Sequence, residues 1–85
     1  MICKEITDIT KDENGLYYMQ KFNGTAFIES YNQTKHYPVQ WKIEVDPIGR
    51  KSIIFLNIET QFQDNILTGV IYEKLSSLLK EGAFN

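Results

Sequence analysis

The sequence holds one cysteine, Cys3, and one histidine, His36, the two side chains best suited to nucleophilic attack and proton transfer near neutral pH. Such a pair works when a lowered thiol pKa supplies the thiolate and the imidazole takes up the proton. His36 sits in the stretch KHYP, between Lys35 and Tyr37, with no carboxylate or nucleophile next to it to orient the ring. Cys3 lies two residues from the chain start, where a small apolar role is the ordinary one. The balance favours a structural thiol and a loop imidazole, so the chain reads as a non-enzyme.

The other chemistries fare no better. One cysteine and one histidine cannot complete a zinc site of four protein ligands, so neither a metal nor a cofactor is expected. Glu44 and Glu59 fall on the outer side of a strand pair and Asp46 faces Lys51, an arrangement that solvates rather than forming a carboxylate dyad. The stretches PIGRK and NG hold too little glycine to cradle phosphate.

Cations interleaved with aromatics are more suggestive. Lys21, Lys35, Lys42, Arg50 and Lys51 accompany Tyr17, Tyr37 and Phe55, a mixture that suits stacking and phosphate contact on single-stranded DNA or RNA. Lys42, Arg50, Lys51 and Phe55 would make those contacts. A meander followed by a helix is similar in element order to single-strand binders such as PUR-type repeats, with no shared motif. Against this, nine basic residues are outnumbered by eleven acidic ones, and Glu29, Glu44 and Glu59 fall near the same surface.

The favoured reading is an interaction face of Tyr17, Met19, Lys42, Ile53 and Phe55, because an apolar group in an otherwise polar row marks a covered surface. A second copy of the chain is the expected cover, giving a homodimer; a different protein is the next choice, and nucleic acid comes after both. An 85-residue chain encloses one core, so residues 1–85 are a single domain with little burial to spare. No run of 18 apolar residues and no apolar signal segment occurs, which points to a soluble cytoplasmic protein that does not enter a membrane.

The elements that must carry these residues are strands first and a helix last. Asn23-Gly24, between LYYMQKF and TAFIESY, is the dipeptide that two-residue type I′ hairpins prefer, so a reversal is expected there. Residues 32–38 follow as a polar loop. In VQWKIEVD the residues Val39, Trp41, Ile43 and Val45 alternate with polar ones, and PIGR supplies a four-residue turn that sets Ile43 opposite Ile54, Trp41 opposite Leu56 and Val39 opposite Ile58. Lys11 to Gly15 is a further turn, and residues 4–10 form either a strand or a short helix.

Ile66, Leu67, Val70, Ile71, Leu75, Leu78 and Leu79 follow helical spacing, with Asp64 or a Thr60–Gln63 capping box at the start and Gly82 just past the end. Gly69 inside that helix suggests close approach to a strand. The expected fold is α+β: an antiparallel β-meander of four strands, five if residues 4–10 pair as well, with one C-terminal α-helix packed across one face. Its core is Val39, Trp41, Ile43, Val45, Ile54, Leu56, Ile58, Leu67, Val70, Ile71, Leu75 and Leu78.

Overall fold

A computed structural model, describing residues 1–12, 17–59 and 65–84, has this α+β architecture. Strands β1 (Ile2–Lys11), β2 (Met19–Ser30), β3 (Gln33–Val45) and β4 (Lys51–Ile58) form one antiparallel sheet in sequence order, and helix α1 spans Asn65–Lys80. Residues 13–15 of the expected first turn, Leu16, and the expected helix starts at Asp64 and Thr60–Gln63 lie outside the described residues.

The first hairpin is not where the dipeptide signal put it. Asn23 and Gly24 lie inside β2, opposite Gln40 and Val39 of β3, and the chain reverses at Tyr31-Asn32, both at positive φ (51° and 62°). The cause is burial. Alternation along an uninterrupted β2 turns Phe22, Gly24, Ala26 and Ile28 to the helix side, and the three with side chains are buried there. Gly24 is the floor on which the Trp41 ring rests: a Cβ at that position would stand 3.1 Å from both Trp41 Cη2 and Ile6 Cγ2, and 3.2 Å from the Thr7 carbonyl oxygen. Tertiary packing outranks the turn preference, although a left-handed Tyr31 costs about 1 kcal/mol.

The expected polar loop at 32–38 is corrected with it, since Gln33–Val45 is one strand. Pro38 is tolerated in that strand because β4 ends beside it: Val39 pairs with Ile58, and the Pro38 carbonyl accepts the Glu59 N–H at 2.9 Å. On the other side of β2, β1 carries an extra residue opposite Gly24, where Asp8 takes a positive φ of 54°.

The second hairpin keeps its expected pairs Trp41–Leu56 and Val39–Ile58 but not Ile43–Ile54. Its loop is one residue shorter than expected. The Asp46 N–H donates to the Arg50 carbonyl at 2.9 Å, and the Asp46 carboxylate accepts from the Ile48 N–H (2.9 Å), the Arg50 N–H (2.8 Å) and Arg50 Nε (2.9 Å). These bonds hold the Asp46 carboxyl below the usual range, the Arg50 backbone N–H contributing most. Closing the loop on Asp46 and Arg50 slides the register by one, so Ile43 meets Ile53, and a bulge at Ile54 restores it at Lys42–Phe55. Two assignments reverse in consequence. Ile54 leaves the expected core and is 44% exposed, while Ile53 turns from the outer face to pack against the core on the helix side.

Helix α1 buries Leu67, Ile71 and Leu75 against Val39, Trp41 and Ile43, with Leu56, Ile58, Val70 and Leu78 half-buried around them. Val45, also expected in the core, is half-buried. The helix ends as its sequence suggests: Gly82 takes φ 80°, its N–H donates to the Leu79 carbonyl at 3.2 Å, and the Ala83 N–H reaches the Leu78 carbonyl at 3.0 Å. That paired capping swings Phe84 inward. Phe84 is buried with its ring centroid 5.2 Å from Phe22 and 5.6 Å from Trp41, and Phe22 stacks on Trp41 at 5.8 Å. Ile6, Phe22, Ala26 and Ile28 complete a core that the expected set omitted.

The Trp41 indole N–H is buried without a hydrogen-bond partner among the described residues, a cost of about 1–3 kcal/mol that ring packing must outweigh. Because that packing depends on Gly24, Gly24→Ala should lower unfolding free energy by about 1–3 kcal/mol. Tyr31→Asn, at a side chain 97% exposed, should raise it by about 1 kcal/mol, since Asn tolerates the left-handed turn. Urea unfolding checks both; an unchanged Gly24→Ala midpoint would contradict the seating of Trp41.

Candidate functional site

The sheet keeps Cys3 and His36 apart. Cys3 pairs with the inward-facing Ile28 and packs against the core, whereas His36 pairs with Phe27 on the outer face, its ring centroid 5.8 Å from the phenyl. Burial pushes the Cys3 thiol above its ordinary pKa, with Lys74 pulling weakly the other way, so little thiolate forms at neutral pH. The geometry does not assemble a cysteine–histidine pair. Among the described residues, no group of three or more His, Cys, Asp and Glu side chains is placed to hold a metal ion, and no helix is long and apolar enough to cross a membrane.

The expected interaction face divides. Met19, Lys42 and Phe55 do share the outer face, where Lys42 Nζ stands 5.2 Å from the Phe55 ring centroid. Ile53 lies on the other side of the sheet, and Tyr17 precedes β2 in a turn, 88% exposed. With Ile53 gone the outer face is mostly polar.

The expected nucleic-acid contacts divide too. Arg50 is held by Asp46 in the β3–β4 turn, and Lys51 pairs with Val45. Lys42 and Phe55 remain together, and the register adds neighbours to them. Lys21 stands directly across from Lys42, and Asn23 across from Gln40; with Asp12 and Phe55 these side chains rim a shallow depression of about 360 Å³. Opposed lysines repel, which makes the spot receptive to an anion, while Glu44, two residues along β3 from Lys42, opposes one.

The two sheet edges differ. On β1 the ladder is interrupted twice, between Cys3 and Glu5 and between Thr7 and Thr10, and the strand carries Lys4, in an ion pair with Glu29 at 3.3 Å, together with Glu5 and Asp8. Bulges and charges of this kind blunt an edge. By contrast, β4 has no charged residue from Ser52 to Ile58, Ile54 bulges from it, and no strand among the described residues pairs with its free side.

Between β4 and α1 runs an apolar trough. One part, about 410 Å³, is lined by Ile54, Leu56, Thr68, Gly69 and Tyr72, and past Ile53 and Tyr72 it runs on toward Leu79, where Lys51 and Lys80 flank it. Gly69 contradicts its expected use, for among the described residues a Cβ there would meet nothing within 4 Å. Sequence spacing does not single out this trough, because it places Ile54 in the core and leaves Tyr72 outside the helix's apolar stripe. The signal available was the uncharged run in β4.

Comparison with protein-family models, characterised proteins and solved structures finds no match.

Proposed function

We propose that the chain is a cytoplasmic, non-enzymatic interaction module that works as a homodimer. The observation that carries this reading is surface left over after folding. The chain exposes 6156 Å², against about 5,200 Å² for a typical monomer of 9.9 kDa. The surplus, about 950 Å², is close to the roughly 800 Å² that each partner contributes to a standard interface. Its radius of gyration of 13.0 Å exceeds the about 12 Å expected for this length in the same direction.

The excess has a source. At about 3.3 Å per residue the 13-residue β3 is about 43 Å long, matching the long dimension of 43 Å, whereas the 16-residue α1 covers only about 24 Å. Apolar side chains are left uncovered at both ends of that mismatch: Met1, Ile2 and Tyr31 beyond the helix, and Ile54, Ile66 and Tyr72 beside it. Light scattering on the eluting protein should give twice the 9.9 kDa chain mass at micromolar concentration. A mass of one chain over the whole concentration range would contradict the dimer.

A second reading rests on a separate observation, the Lys42–Phe55 stack with Lys21 across from it. In that reading the outer face binds single-stranded DNA or RNA. Affinity for a fluorescent oligonucleotide should then fall by about tenfold or more as salt rises from low to physiological concentration, and Lys42→Glu should abolish it. Binding that ignored salt would refute a phosphate-led contact.

A further inference from the structure

We infer that the second copy docks along the free edge of β4, joining the two sheets into one and setting the two α1 helices side by side across a two-fold axis. This inference rests on the homodimer proposed above and locates it.

Four observations converge on that edge. Its strand is uncharged from Ser52 to Ile58 and bulged once, at Ile54, while the β1 edge is interrupted twice and charged, so β4 is the edge better fit for pairing. An unguarded apolar edge in a soluble chain either templates open-ended growth or is closed by symmetry, and antiparallel pairing of two identical edges about a two-fold axis closes. The surplus surface is large enough for one side of a standard interface, and exposed Ile54, Ile66 and Tyr72 put part of it beside this edge. Most specific is Gly69.

A glycine inside a helix weakens it relative to alanine, and it is usually explained by a neighbour that a Cβ would strike. Among the described residues of its own chain Gly69 has no such neighbour: a Cβ there would meet nothing within 4 Å, and the position borders Ile54 and Tyr72. The neighbour is therefore placed in another chain. Extending the sheet through β4 brings that chain's α1 onto the same face, where packed helices stand about 8–10 Å apart. At that spacing a missing Cβ lets the helix backbones approach, with each Ile54 and Tyr72 filling the partner's trough.

A second copy suits the trough better than a charged or extended partner. The stretch at Ile54, Gly69 and Tyr72 offers no charge to an ionic ligand, Lys51 and Lys80 lining only its continuation toward Leu79, and the matching surface is one this chain already displays.

The test uses the full chain with two substitutions that spare the folded monomer. Gly69→Lys should leave the circular dichroism spectrum unchanged while halving the mass seen by light scattering. Ile54→Lys, at an exposed bulge, should do the same to mass, and Tyr31→Lys at the far hairpin should remain a dimer. Dimers persisting in both Gly69→Lys and Ile54→Lys would overturn the β4 location and leave the homodimer standing. A monomeric unsubstituted chain would overturn both, and concentration-dependent growth beyond two chains would overturn the two-fold closure.

Discussion

The contact between the Trp41 ring and Gly24 governs the layout of this protein. The ring needs a neighbouring strand position with no side chain, and Gly24 supplies one only if β2 runs through it extended and facing the helix. That requirement cancels a reversal at Asn23-Gly24 and makes β2 twelve residues long, with β3 thirteen opposite it. A hairpin of that length outreaches a sixteen-residue helix. Uncovered sheet is therefore a consequence of how the core is seated rather than an accident of composition.

The same core explains the capping at the far end of the chain. Gly82 turns the backbone so that Phe84 closes over Phe22 and Trp41, giving a three-ring cluster drawn from two strands and the tail of the helix. Burial is concentrated there and thins toward both β4 and the Tyr31-Asn32 turn. In a chain this short, stability and association draw on one pool of apolar residues, and those that do not reach the ring cluster are the ones available to a partner. The difference between the edges follows: β1, interrupted twice and charged, is a poor template, and β4, uncharged from Ser52 to Ile58 and interrupted only at Ile54, is a better one.

Much of this was legible in the sequence, and the failures share one cause. Strict alternation and helical spacing, each averaged over many residues, found the buried Val39, Trp41, Ile43, Leu67, Ile71 and Leu75, with Val45, Val70, Leu78 and Leu79 half-buried and Ile66, also in the expected stripe, exposed. Signals carried by one or two residues failed at both hairpins, although Gly82 does end the helix. Asn23-Gly24 had the chemistry of a turn, but its glycine was needed for room; Tyr31-Asn32, with weaker chemistry, took the turn instead. Loop length in PIGR was misjudged by one because the Asp46 carboxylate bonds to Arg50 and Ile48, and that single residue exchanged the roles of Ile53 and Ile54. The expected interaction face depended on Ile53 and dissolved with it, while the trough beside Gly69 could be recognised only after the helix and β4 were placed together.

The most direct test of an open β4 edge awaiting a second copy is amide hydrogen exchange read residue by residue at two protein concentrations. The β4 amides that point away from β3 should be protected in concentrated solution and should exchange quickly after dilution, while the amides of Gly24 and Ala26 stay protected in both. Exchange along β4 that is equally fast at both concentrations, with the β2 amides protected throughout, would contradict the account.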